Sequence, residues 1–435
     1  MLLLQVTNST PFIAQEASSS ILSSLPPFAD GGEVPNLNLV SKSSPQPPLP
    51  YPDAMDPERP PPALTSDLLE EIFLRVASPA DLARASTACV SFRRLIADPA
   101  FLRRYRSIHP PLLLGFVRSY GFGPAEAPHP SAAVARAVAF SFDYLPRTTW
   151  EDHWTPVNAR DGRVLLERSC REVPNYWDLL VCDPLSRRYL LLPPIIDDLL
   201  ASIGIQNNDF IFHSRASFIR SGGTEEDTSF SVINWMQSSS RLGVFIFSSG
   251  SGCWSVSTSI SWGDLGFDQI NMLNLGQCAY DCFYWKLYDM STVIKLDMNS
   301  MQFSTIDLPP GHDEREIIIV ESEESKVAMF SLLIYDGTSV DYYTFPQNGS
   351  EKSHEWHMKS TIPLPDQCTS ECYIYGPAEG YIFIECIRDG ESSTYSTVLS
   401  LEIKSFNIER VSRTSFPGRA YPYFGFPPSM SPRRI

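Results

Sequence analysis

Several clusters in this sequence have residue types able to do chemistry, and their spacing decides which of them can. His354-Glu355-Trp356-His357 has the order of a zinc hydrolase helix. That chemistry needs histidines at i and i+4 on one helical face, with the glutamate between them as base. Here the interval is three, in a strand-like stretch that turns His354 and His357 to opposite faces. The catalytic reading fails on geometry. Cys278/Cys282 and Cys368/Cys372 each leave three residues between partners. Four thiolates converging tetrahedrally would hold zinc, but such knuckles are usually tighter. Buried strand cysteines are the simpler reading, and no metal or cofactor is expected. Glu225-Glu226-Asp227 and the 321–324 run read as solvated turns, with recognition of a basic target as a second reading. The sequence contains no nucleophile elbow, phosphate-cradling loop or dinucleotide fingerprint. Of its tryptophans, Trp235, Trp254, Trp285 and Trp356 are read as packing, whereas Trp150, Trp154 and Trp262 are candidates for a binding face.

The elements that would carry these residues follow from composition and periodicity. At 435 residues with 43% hydrophobic and 12% aromatic content, the chain can bury a large core. Residues 1–63 are rich in Ser, Pro and Asn, a composition that cannot offset backbone ordering, so this segment is expected to be disordered. Met55 is a conceivable alternative start. The net charge of -16 is uneven: 64–109 carries +2 and 110–435 carries -14. So acidic a body repels phosphate backbones and anionic lipid, which argues against nucleic-acid or membrane partners. Nine scattered cysteines suit a reducing compartment. No stretch reads as a signal peptide or a membrane span, so a cytoplasmic or nuclear location is expected. The glycosylation triplets at Asn8 and Asn348 are read as chance matches.

Residues 64–109 read as four short helices. Ser66 is expected to cap the first, which carries Leu68, Leu69, Ile72, Phe73 and Val76 at helical spacing. Ser78-Pro79 starts the second, bearing Leu82, Ala85 and Cys89; Ser91 opens the third, with Phe92, Leu95 and Ile96; Asp98-Pro99 caps the fourth. The apolar residues fall on more than one face, including the pairs Leu68-Leu69 and Ile72-Phe73. A segment this small rarely stabilises itself, so some of that surface needs another chain.

Beyond about residue 110 the period shortens. Apolar or alternating runs at 163–166, 179–182, 188–192, 243–247, 282–287, 292–296, 316–320, 327–334, 340–345, 381–386 and 397–403 predict an all-β domain; only 132–138 is helical. A strand ending in Leu-Pro recurs at 189–194, 303–310 and 358–365, with one unit between the first two lacking the signature. Units of this length suggest propeller blades, with a β-sandwich pair as the alternative. The expected fold class is therefore α+β and multidomain: a small all-α block over 64–109, then an all-β, propeller-like domain over 110–435.

The helical block resembles the F-box motif through Leu64-Thr65-Ser66-Asp67-Leu68-Leu69-Glu70-Glu71-Ile72-Phe73, Asp81-Leu82, Cys89-Val90-Ser91-Phe92-Arg93 and Asp98-Pro99-Ala100-Phe101-Leu102. Thr65 stands where the family usually has Pro, and Phe92 where it usually has Trp. The resemblance implies docking on a Skp-type adaptor, and through it on a cullin, with Leu64, Leu68, Leu69, Ile72, Leu82 and Phe92 as contacts. The β domain resembles that of plant, cereal-type F-box proteins. Its matching stretches are 161–166, 181–189, Leu192-Pro193-Pro194, and Phe247-Ser248-Ser249-Gly250 with Cys253-Trp254. What that implies is a propeller-like, substrate-recruiting domain. The expected role is a non-catalytic substrate receptor of a ubiquitin ligase that binds an unidentified target protein. A non-ligase scaffold using the same adaptor contact is the alternative, and a propeller enzyme is disfavoured.

Overall fold

The computed structural model describes residues 65–425, apart from 147–152, 170–176, 206–210, 220–228, 268–271, 323–326, 336, 346–354, 366–370, 390–393 and 416–417. Several sequence features lie outside the described residues: the 1–63 segment with Met55, Leu64, Trp150, Glu225-Glu226-Asp227, Asn348, His354 and Cys368.

Four helices come first: α1 (Ser66–Leu74), α2 (Pro79–Ala85), α3 (Val90–Ile96) and α4 (Pro99–Ile108). Thr65, not Ser66, caps α1: its Oγ1 accepts the Leu68 N–H at 3.4 Å. Ser78 caps α2 by accepting from Asp81 N, and Asp98 Oδ1 caps α4 through Ala100 N at 2.8 Å and Phe101 N at 3.3 Å. Cys89, rather than Ser91, stands at the α3 N-cap, and it makes no side-chain capping bond. The block has its own core of Phe73, Leu74, Leu82, Ile96, Phe101, Leu102 and Tyr105. Side chains of and just past α4 close the end of α1: Tyr105 OH donates to Val76 O, and His109 Nε2 to Leu74 O, both at 2.7 Å. Desolvation inside that core raises the Tyr105 phenol to about 12.

The strands follow: β1 (Leu112–Arg118) and β2 (Gly121–Pro124), the helix α5 (Ala132–Ala137), then β3 (Thr155–Arg160), β4 (Arg163–Ser169), β5 (Trp177–Asp183) and β6 (Arg188–Leu191). After α6 (Asp197–Ser202) come β7 (Ile211–Ile219), β8 (Ser231–Ser238), β9 (Arg241–Ser248) and β10 (Cys253–Ser261). Next are β11 (Gln277–Ala279), β12 (Cys282–Lys286), β13 (Thr292–Asp297) and β14 (Gln302–Asp307). The last two sets are β15 (Arg315–Glu321), β16 (Val327–Leu333), β17 (Ser339–Phe345) and β18 (His357–Pro363), then β19 (Glu371–Ala378), β20 (Tyr381–Asp389), β21 (Thr394–Glu402) and β22 (Ile408–Thr414). Finally β23 (Tyr421–Gly425) returns to β1, with Leu112 opposite Gly425 and Val117 opposite Tyr421.

These strands form five four-stranded antiparallel sheets and one three-stranded sheet, β2-β1-β23, in which both chain regions meet. Successive inner strands pack on one another, β23 on β3, β3 on β7, β11 on β15 and β15 on β19. The body is thus a six-bladed β-propeller, and the β-sandwich alternative is overturned. Its core is divided among six apolar clusters, one at each blade–blade interface. In β4, Val164 and Leu166 enter one such cluster while Leu165 enters the next. A strand covered on both faces reads as a continuous apolar run.

The blades repeat local chemistry. Hairpins between first and second strands turn on Asp161-Gly162, Tyr280-Asp281 and Glu379-Gly380, all at positive φ as a type I′ turn requires. Between third and fourth strands, Arg187, Gly252, Met301 and Phe406 take the left-handed position. Asp183 and Asp297 tie their turns by accepting two backbone N–H groups each. The recurring Leu-Pro signature marks the end of the outer strands β6, β14 and β18. There Leu192, Leu308 and Leu364 are buried and donate N–H back toward the third strand. In the β7–β10 blade, which lacks the signature, Trp262 takes that place, buried and donating to Ser240 O.

Candidate functional site

Two features stand apart from the packed core. The first is α1. Phe73 points into the block core and meets Phe92 of α3 edge-on, ring centroids 5.0 Å apart. Glu70 and Glu71 are held from α4 by Arg104, which reaches Glu71 Oε1 at 3.2 Å. The remaining face carries Leu68 and Ile72, one turn apart and 53% and 45% exposed. Val90, at the start of α3, is 62% exposed. Large apolar side chains left in water beside a formed core are the informative exception to burial. Of the contacts expected from sequence, Leu69 and Phe92 are half-buried against the block core. Leu82 is fully buried in it and presents nothing outward. Val90 was not singled out in the sequence, because a valine after a cysteine N-cap carries no signal of its own.

The second feature is the central channel. A cavity of about 1350 Å³ is lined by the inner strands and by the connections that enter them. Buried charge lies in and behind its wall. Arg118 of β1 and Glu385 of β20 pair at 3.0 Å, with side chains 3% and 0% exposed. Tyr375 and Ser396 donate to the two oxygens of Glu385, and Arg118 also donates to Gly418 O. Burial, then the Glu385 charge, pushes the Tyr375 phenol far up, so it remains a donor. Arg215 bridges Glu167 at 3.2 Å and donates from Nε to His213 Nε2 at 2.8 Å. That bond requires a neutral ring; desolvation and then the nearby arginines hold His213 down to about 4. Glu316 accepts the Ile374 N–H at 2.9 Å, and burial raises its carboxyl, as it does that of Glu167.

The other sequence candidates take structural positions. Trp154 and Trp262, expected as possible binding-face residues, are buried instead and donate to Pro146 O and Ser238 O at 2.8 and 3.0 Å. Cys278 and Cys282 lie on paired strands, with Cys282 opposite Ala279; Cys372 faces Cys386 across β19 and β20, their sulfurs 3.2 Å apart. Glu321 accepts the Tyr280 N–H rather than standing free. Among the described residues no group of histidines, cysteines and carboxylates is placed to hold a metal ion, and no helix is long and apolar enough to cross a membrane.

A six-bladed propeller carrying a polar channel and preceded by a compact helical block defines the class. Residues 157–416 match the family described as F-box protein AT5G49610-like, beta-propeller, and the chain belongs to that family. No curated protein matches it. Solved structures with some likeness include the six-bladed fungal lectin of Aleuria aurantia, at 11% identity over 61% of this chain and 78% of that one, TM-score 0.34. TolB from Acinetobacter baumannii is 12% identical over 59% of this chain and 54% of its own, TM-score 0.33. Likenesses this distant carry no argument about activity.

Proposed function

We propose that this chain is the substrate-receptor subunit of a Skp-cullin-F-box ubiquitin ligase, working in the cytoplasm, the nucleus or both. The helical block at 65–109 docks on the Skp-type adaptor, and the propeller holds a target protein. The subunit makes and breaks no bond itself; it raises the effective concentration of target lysines at the charged ubiquitin carrier. The observation that carries this reading is the exposed pair Leu68 and Ile72 on α1, beside a complete helical core, in a chain of an F-box propeller family. Val90 extends the docking set, Leu69 and Phe92 back it from below, and Leu82 acts as core.

Co-purification of the full chain with a Skp-type adaptor tests this. Wild type should recover the adaptor and, through it, cullin. The Leu68→Asp/Ile72→Asp double variant should recover less than a tenth as much at an unchanged melting temperature. Equal recovery by both proteins removes the assignment, and recovery of adaptor without cullin would favour a scaffold outside the ligase.

A further inference from the structure

We propose that the central channel is the seat of the target, and that Arg419 anchors a peptide carboxylate there. The inference rests on the reading that the propeller captures a protein target. Arg419 lies on the connection from β22 to β23 and lines the cavity of about 1350 Å³. Its electrostatic neighbours come from around the ring: Glu167 of β4, His213 of β7, Glu316 of β15, Tyr375 of β19 and Tyr421 of β23. It hydrogen-bonds to the Tyr421 side chain. Among the described residues, however, no carboxylate forms an ion pair with it. Glu167 and Glu316, whose carboxyls feel its charge, are also held by Arg215 and by the Ile374 N–H.

The arginine is also held in place. The carbonyl of Gly418, the residue before it, accepts from Arg118 and, at 3.4 Å, from Tyr375 OH. Gly418 itself sits at φ 144°, where a side chain would be strained. That clamp fixes the point from which the exposed Arg419 side chain reaches toward a ligand. The cavity exceeds the roughly 300–1,000 Å³ typical of small-molecule sites, which favours a peptide segment. Its walls add apolar surface from Phe218, Ile374 and Phe406. The ligand charge follows from two facts. A planar guanidinium matches one carboxylate in bidentate fashion, and although Arg160, Lys359 and Lys404 also line the cavity, five carboxylates do too and the chain's net charge of -16 repels a multiply charged anion.

The test uses the full chain co-expressed with a Skp-type adaptor and four fluorescent pools of random nonapeptides, read by polarisation. One pool has a free C-terminus and no Asp or Glu; one is amidated with a single Asp or Glu; one is amidated and acid-free; one is amidated with a phosphoserine. Either carboxylate pool should bind at least tenfold more tightly than the acid-free amidated pool, and which of the two does so tells a chain terminus from a side chain. Arg419→Gln should erase that difference while melting temperature and adaptor recovery stay at wild-type values. Equal binding of all pools, tighter binding of phosphoserine, or an unaltered preference in Arg419→Gln overturns the inference. A protein that recovers adaptor yet shows no preference loses the channel site and keeps the receptor reading. One that recovers no adaptor loses the receptor reading whatever its channel binds.

Discussion

Arg118 and Glu385 form a buried ion pair, 3.0 Å apart, between the strand that opens the propeller and the last blade before it closes. Breaking one side of such a pair leaves an uncompensated charge, at about 3–5 kcal/mol. Glu385→Ala and Arg118→Ala should each lower stability by that much in chemical denaturation. The double variant should cost less than the sum of the two, because the pair is removed whole.

Gly276 precedes β11 at a point where backbone meets aromatic rings. A Cβ there would lie 1.8 Å from Phe283 Cε1 and 2.9 Å from Trp285 Nε1, so the rings must shift. Gly276→Ala is expected to destabilise by about 1–3 kcal/mol, as overpacking does. Gly376→Ala, with nothing within 4 Å of its Cβ, should be close to neutral. Paired thermal melts decide between them.

His213 gives the fold a pH dependence with a definite sign. Its folded value of about 4 lies below the ordinary 6.5, so between those values the unfolded chain takes a proton that the folded ring refuses. This contribution is whole above pH 6.5 and fades as pH falls toward 4. Glu167 and Glu316, whose carboxyls are raised, act in the opposite sense. Melting temperature measured from pH 7.5 to 4.5 should therefore fall less steeply in His213→Gln than in wild type.

Cysteine reactivity should separate surface from core. Cys89 is exposed, and the Ser91 hydroxyl 3.1 Å away holds its thiol below the usual range. Burial pushes Cys182 up to about 12. Iodoacetamide at pH 8, followed by mass spectrometry, should label Cys89 and leave Cys182 untouched until the chain unfolds. Bound adaptor should slow Cys89, because Val90 beside it belongs to the proposed docking face.

What the sequence made legible follows the physics of each element. The middle strands, such as β4, β12 and β20, are covered on both faces and announce themselves as apolar runs. Inner strands β3, β7, β11, β19 and β23 alternate core residues with channel-facing ones such as Asn158, Ser217 and Tyr373, and so blur into loop composition. The Leu-Pro repeat was visible because one buried leucine closes each of β6, β14 and β18; Trp262 does the same work after β10 in different letters. Thr65 reads as a lost proline in the motif and proves to be the helix cap. Arg419 carries no local signal at all. Its meaning depends on residues from several blades, which only ring closure brings together.

That closure has a temporal side. Arg118 donates to the carbonyl of a residue 300 positions later. At ~5–20 residues per second of synthesis, the α1–α4 block is complete ~15–60 s before that partner exists. A nascent chain can thus present the Leu68 and Ile72 face of α1 while the propeller is still an open arc and β1 still lacks its partner β23. Growth, rather than any ligand, then sets when the ring becomes whole.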